Sequence, residues 1–140
     1  MNSYLDKIGQ WPANCPELRR EGTMLHLTPE NMLHFVHGKD NHTRVSFFLS
    51  NDKEHIGIHT ITPNHMSDPE THRGDEVLLV LEGRLQVRAA SPDDIPESVS
   101  HVAYEVNEGE KFFIPEGVEH QYFNLSDQLL RFLFVVAPEY

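Results

Sequence analysis

Three side chains able to coordinate a metal ion fall close together, at Glu70, His72 and Glu76. Two carboxylates and an imidazole, with no thiolate, suit a first-row divalent ion such as Fe, Mn, Ni, Co or Zn. Glu70 and His72 are two positions apart, so on an extended chain they share a face, and Glu76 keeps the same parity. Behind them Val77-Leu78-Leu79-Val80-Leu81 leads to Gly83, a β-forming run that gives converging donors stiff support. An ion held there would polarise a carbonyl or activate water, and a carboxylate beside it would serve as general base. Taken singly, each of the three is more simply a surface residue before a strand. Their weight comes from what surrounds them.

The elements that must position them read as short strands. Arg44 to Ser50, His55 to Thr62, Glu76 to Leu81, Leu85 to Ala89, His101 to Val106, Lys111 to Ile114, Glu119 to Phe123 and Leu129 to Val136 are separated by turns such as Asn51-Asp52-Lys53, Asn107-Glu108-Gly109 and Pro115-Glu116-Gly117. That pattern predicts an antiparallel sandwich or barrel. Ser91 to Ser98, with two prolines and three acidic residues, reads as an exposed loop. Upstream, the prolines around Trp11 to Pro16 predict an irregular arm, Glu17 to Arg20 a helical turn, and Thr23 to Leu27 a short strand. Thr28-Pro29-Glu30 is a helix-start signal, and Met32, Leu33, Phe35 and Val36 supply a stripe for a short helix stopping at Gly38. The expected organisation is an arm and helix over residues 1–43 packed on a barrel over 44–140.

A second ordered stretch, Gly109-Glu110-Lys111-Phe112-Phe113-Ile114-Pro115-Glu116-Gly117-Val118-Glu119-His120-Gln121-Tyr122-Phe123-Asn124, places His120 just after a turn. Together the two stretches resemble the paired motifs of the cupin superfamily. In the second motif, G-x5-P-x-G-x2-H-x3-N, residues Gly109, Pro115, Gly117, His120 and Asn124 occupy every fixed position. In the first, G-x5-H-x-H-x3-4-E-x6-G, His72, Glu76 and Gly83 match. Asn64 stands where the family has its first Gly, and Asn tolerates a left-handed turn. Glu70 stands where the family has its first His.

The resemblance implies an all-β double-stranded β-helix, or jelly-roll barrel, holding one divalent transition metal through Glu70, His72, Glu76 and His120. Two imidazoles and two carboxylates would bring the first shell to about zero net charge, against about +1 for three imidazoles and one carboxylate. In a second arrangement His72, Glu76 and His120 form the ligand set and Glu70 is the catalytic base. His65 fits the spacing less well than Glu70. Tyr122 shares parity with His120 and is a candidate for substrate contact. Arg88, with Arg84 and Gln86, could bind a substrate anion, although alternation places all three more simply on the solvent face.

Composition bounds the partners. The chain has 140 residues and a formal net charge of −11, which argues against nucleic acid and anionic membrane surfaces. No apolar run is long enough to span a bilayer. With one cysteine, Cys15, and no signal-like start, a cytoplasmic location is expected. The strands Val77 to Leu81 and Leu129 to Val136 are apolar on both faces and predict a covering layer, read here as a homodimer. The leading expectation is a metalloenzyme of isomerase or lyase type acting on a small polar metabolite, a carbohydrate or a hydroxy or keto acid. The alternatives are a non-haem iron dioxygenase and a non-catalytic ligand-binding protein.

Overall fold

The computed structural model describes residues 24, 26–36, 42–90 and 101–140. The expected irregular arm, the helical turn at Glu17 to Arg20, the Gly38 stop and the Ser91 to Ser98 loop lie outside the described residues, and the described part of the expected Thr23 to Leu27 strand, Met24, His26 and Leu27, is not in a strand. Nine strands occur among the described ones: β1 (Leu33–Val36), β2 (Thr43–Ser50), β3 (His55–Ile61), β4 (Asp75–Glu82), β5 (Leu85–Ala90), β6 (His101–Val106), β7 (Lys111–Ile114), β8 (His120–Asn124) and β9 (Leu130–Ala137). They form a six-stranded sheet in the order β1-β2-β3-β9-β4-β7 and a three-stranded sheet in the order β6-β5-β8. All pairings are antiparallel. This is the all-β jelly-roll architecture that the strand pattern and the two motifs predict.

Period-two alternation turns one face of each strand inward. Val45 and Phe47, Ile61, Leu78 and Val80, and Phe132, Phe134 and Val136 fill the core from the large sheet. Leu85, Val87, Val106 and Tyr122 meet them from the small one. Within the large sheet Phe47 packs edge-on to Phe134 with centroids 5.6 Å apart, and across the layers Tyr122 lies 4.8 Å from Phe132. Asn124 staples the end of β8. Its amide donates to the carbonyls of Ile61 at 3.0 Å and Gln128 at 2.8 Å, and its carbonyl oxygen accepts from Ser126 N–H at 2.9 Å and Ser126 Oγ at 2.6 Å. Both donor and acceptor ends of this buried amide are satisfied.

One expectation is corrected. The helix predicted from Thr28 to Gly38 is a single turn of 3-10 helix, Pro29–Asn31, and Leu33–Val36 continues as strand β1. The start signal itself operates: Thr28 N–H donates to Asn31 Oδ1 at 2.8 Å. The helix fails to propagate because Leu33 and Phe35 also satisfy a period of two. Paired along β2, they gain ladder hydrogen bonds and an edge-on Phe35–Phe47 contact at 6.4 Å. A short isolated helix offers less.

The turn between His72 and Glu76 depends on a missing side chain. A Cβ on Gly74 would lie 2.4 Å from the Ala137 carbonyl oxygen and 2.6 Å from that of Glu139. Both are backbone atoms and cannot rotate away. Gly74→Ala is therefore expected to cost about 1–3 kcal/mol in chemical denaturation, and to weaken metal binding by displacing His72 from Glu76.

Candidate metal centre

The two motifs meet through backbone before they meet through side chains. Residues 64 to 72 run antiparallel beside β8. Asn64 N–H donates to Asn124 O at 3.2 Å and Ser67 N–H to Tyr122 O at 2.8 Å; Glu70 N–H and His120 N–H each bond the other's carbonyl, at 2.9 Å and 3.0 Å. This zipper sets Glu70 directly across from His120. Left-handed backbone at Asn64 (φ 60°), Gly83 (φ 85°), Gly109 (φ 80°) and Gly117 (φ 79°) makes the turns that bring the strands together. Asn tolerates this region better than other side-chain-bearing residues, so its presence in place of glycine is accommodated. Glu70, His72 and Glu76 converge, but not along one strand. The chain bends at Arg73 and Gly74, and β4 begins only at Asp75.

Their donor atoms face one another across a small space. Glu70 Oε1 is 3.7 Å from His72 Nε2 and 3.6 Å from His120 Nε2. Glu76 Oε1 is 3.7 Å from His72 Nε2, and Glu76 Oε2 is 3.8 Å from His120 Nε2. Direct hydrogen bonds would close to about 2.7–3.2 Å, so these groups surround a common point rather than bond one another. Glu70, His72 and His120 each present one ligand atom, and these three atoms all lie within 4.8 Å of one another. His72 Nε2 and Glu76 Oε1 are buried with no hydrogen-bond partner, an arrangement that costs free energy unless something else is bound there. His120 Nδ1 lies 2.8 Å from the Val118 carbonyl. A carbonyl only accepts, so Nδ1 carries the hydrogen and Nε2 is the atom presented to the centre. The residues fit a divalent transition metal: two imidazole nitrogens and two carboxylates, buried, convergent and without thiolate.

Tyr122 lies within the site, although behind the donors. Its hydroxyl donates to Glu76 Oε2, which orients that carboxylate, and lies 3.0 Å from His120 Nε2. Burial, together with the charges of Glu76 and Glu70, holds the phenol well above its usual range, so it remains a donor. Glu76 is pushed up to about 7, first by burial and then by the charge of Glu70, against the opposing pull of His72, Tyr122 and His120. Glu70 moves the other way. Burial alone would raise it, but His120, His72 and the nearby His59 together hold it well below the ordinary carboxylate range. His120 is raised: the loss of solvation is outweighed by Glu70 and by the Val118 carbonyl. With no ion, the two carboxylates thus share their burden unequally, Glu70 ionised and Glu76 near its midpoint at neutral pH.

Arg88 is not brought into the site. It donates to Gln86 Oε1 at 2.6 Å and lies over the Phe123 ring at 5.4 Å, on the face of β5 opposite Val87. That is the solvent-side placement the alternation favours. His65 is also held elsewhere, stacked on His42 with centroids 3.5 Å apart and with Nδ1 within 3.1 Å of Thr62 Oγ1. Conversely, sequence reasoning placed His59 in a strand but not at the site. His59 is fully buried on β3, stacked on Phe132 at 4.8 Å, with Nε2 4.0 Å from Glu70 Oε1. Parity was the available signal, because His59 shares the inward face of β3 with Gly57 and Ile61.

A cleft of about 130 Å³ opens beside His120, walled by Val87 and Ala89 of β5, Tyr104 of β6, Phe112 of β7 and Val118. Ala89 is the cross-strand partner of His120, and Ile114, also in the wall, is the partner of Glu76.

Comparison with known proteins agrees with this architecture. The cupin domain family matches residues 57–136, and the chain belongs to that family. A RmlC-like cupin from Shewanella frigidimarina superposes with a TM-score of 0.61 at 16% identity, covering 82% of this chain and 92% of that one. An oxalate decarboxylase variant from Bacillus subtilis gives 0.61 at 15% identity, covering 76% of this chain but 28% of that one. Drosophila melanogaster CENP-C, solved bound to CAL1, gives 0.64 at 14% identity, covering 90% and 95%. At these identities the likeness concerns the fold alone. No curated protein sequence matches the chain. Among the described residues no helix is long and apolar enough to cross a membrane.

Proposed function

We propose that this cupin is a metal-dependent enzyme of isomerase or lyase type that acts on a 2-hydroxy or 2-keto acid. Glu70, His72, Glu76 and His120 would hold a single divalent transition metal, one of Fe, Mn, Ni, Co or Zn. The observation that carries this reading is the pair of buried, unpartnered atoms His72 Nε2 and Glu76 Oε1, 3.7 Å apart, facing the same space as Glu70 and His120. When bound, the ion supplies a Lewis acid that polarises a substrate carbonyl.

The chain supplies the rest. Tyr122 and the Val118 carbonyl fix Glu76 and His120 in the orientation needed for binding. In the arrangement where His72, Glu76 and His120 alone hold the ion, Glu70, on the segment zipped to β8, would take a proton from the carbon next to the carbonyl and return it. The burial of these groups keeps bulk water from competing for that proton. A small acid is the expected partner, and neither nucleic acid nor membrane is. A second copy of the chain is a further expected partner, supported by the apolar outer face where Val77 is 47% and Phe113 54% exposed.

Metal analysis of protein purified without a metal-affinity tag is expected to find about one transition ion per chain. Protein that carries none and takes none on titration would overturn the reading. A metal-loaded protein that exchanges the C3 hydrogens of a 2-keto acid with deuterium faster than the uncatalysed reaction, with no uptake of oxygen, is the expected result. Oxygen uptake dependent on that acid would instead favour a dioxygenase.

A further inference from the structure

We infer that the cleft beside His120 receives an apolar, ring-sized group of the substrate, so that the ligand is a 2-keto or 2-hydroxy acid with an aryl or branched-alkyl side chain rather than a carbohydrate. The acid head group rests on the function proposed above; the apolar subsite rests on the cleft itself.

The size is right for one ring. The cleft holds about 130 Å³, close to the volume of an apolar protein cavity, about 150 Å³, known to take up benzene. The walls have the matching chemistry. Val87, Ala89, Phe112 and Val118 present carbon, and among the described lining residues only His120 and Tyr104 carry polar side-chain atoms. A sugar placed here would leave most of its hydroxyls without partners, each at a cost of about 1–3 kcal/mol. A phenyl or isobutyl group loses nothing of that kind and gains by leaving water. The Tyr104 and Phe112 rings, centroids 5.2 Å apart and inclined at 56°, offer an aromatic guest both a face and an edge.

The position is right as well. His120 is both a wall of the cleft and a donor at the centre. Its strand neighbour Ala89 and the Glu76 neighbour Ile114 line the same space. A ligand with its carboxylate and carbonyl at the donors would therefore direct a side chain on C3 into the cleft. One bound molecule would span both subsites.

Two measurements test this. On protein without added metal, toluene is expected to shift the methyl NMR signals of Val87, Ala89 and Val118, and Ala89→Leu is expected to abolish the shift. By calorimetry on metal-loaded protein, phenylpyruvate should bind at least about tenfold more tightly than pyruvate, the scale on which a hydrophobic pocket rewards an added group. Ala89→Leu should remove that advantage. Methyl signals unmoved by toluene, or phenylpyruvate binding no tighter than pyruvate, would overturn the inference; so would glucose binding as tightly as phenylpyruvate. If toluene binds but neither acid binds in a metal-dependent way, the apolar subsite stands and the acid-binding reading of the centre fails.

Discussion

Metal-free Glu76→Gln protein is expected to be more stable than the parent by about 3 kcal/mol near pH 8 and equal to it below about pH 4. Glu76 has its folded pKa raised from 4.5 to about 7 by burial and then by the Glu70 charge. Between those values the folded protein keeps a proton that the unfolded chain has released, so the parent loses stability as pH rises. The loss is complete above about 7, and the scale is about 1.4 kcal/mol per pH unit. Glutamine cannot ionise, and its amide oxygen still accepts from the Tyr122 hydroxyl, so it escapes the penalty without leaving that donor unpaired. The raised His120 and the lowered His55 titrate in both proteins and largely cancel in the comparison. Adding a divalent ion should reverse the order. The parent gains a carboxylate ligand, and its stabilisation by metal should grow with pH as Glu76 and His120 surrender their protons. Urea denaturation of chelator-treated and metal-loaded proteins across this range checks both halves. Parallel pH curves for the two metal-free proteins would show that Glu76 carries no such burden.

What could be read from the sequence was what depends on local spacing. The turns at Asn64, Gly83, Gly109 and Gly117 follow from conformational freedom at single positions, and the structure places all four at positive φ. The strands follow from period-two alternation, and even the outward placement of Arg88 comes from it. The shared face of Glu70, His72 and Glu76 was reached by parity on an extended chain, whereas the chain bends at Gly74. They converge because residues 64 to 72 pair with β8, a contact between segments some fifty residues apart that only the paired motif resemblance anticipated. The helix expected after Pro29 gives way to strand β1 because Leu33 and Phe35 fit both periods, and the edge of β2 decides between them. His59 went unmarked because nothing in its neighbourhood resembles a ligand motif; its relevance comes from Glu70 lying across the barrel. The cleft likewise is made by β5, β6 and β7, and no one of them shows it alone.

Glu70→His is expected to keep the ion and lose the reaction. The substitution restores the histidine usual at this motif position and leaves three imidazoles with one carboxylate. The donor count is unchanged, so metal stoichiometry should remain near one per chain. Net charge at the centre would rise by about one unit whichever role Glu70 has, and a carboxylic acid should bind more tightly to the loaded protein for that reason. Removing the Glu70 charge also removes the second-largest influence that raises Glu76, so metal binding should persist to lower pH than in the parent. The proton acceptor is nevertheless gone from the segment facing His120. Loss of a positioned general base typically costs about 10²–10⁴ in rate, and deuterium exchange at C3 of a 2-keto acid should fall by that factor while acid affinity improves. That divergence separates the two roles open to Glu70. A ligand that merely helps to hold the ion is replaceable by imidazole, and an enzyme that relied on it only in that way would turn over as fast as before, or faster with its more positive centre. Undiminished exchange in Glu70→His would therefore make Glu70 a ligand and move the search for the base to His59, the buried imidazole 4.0 Å from the carboxylate it would have replaced.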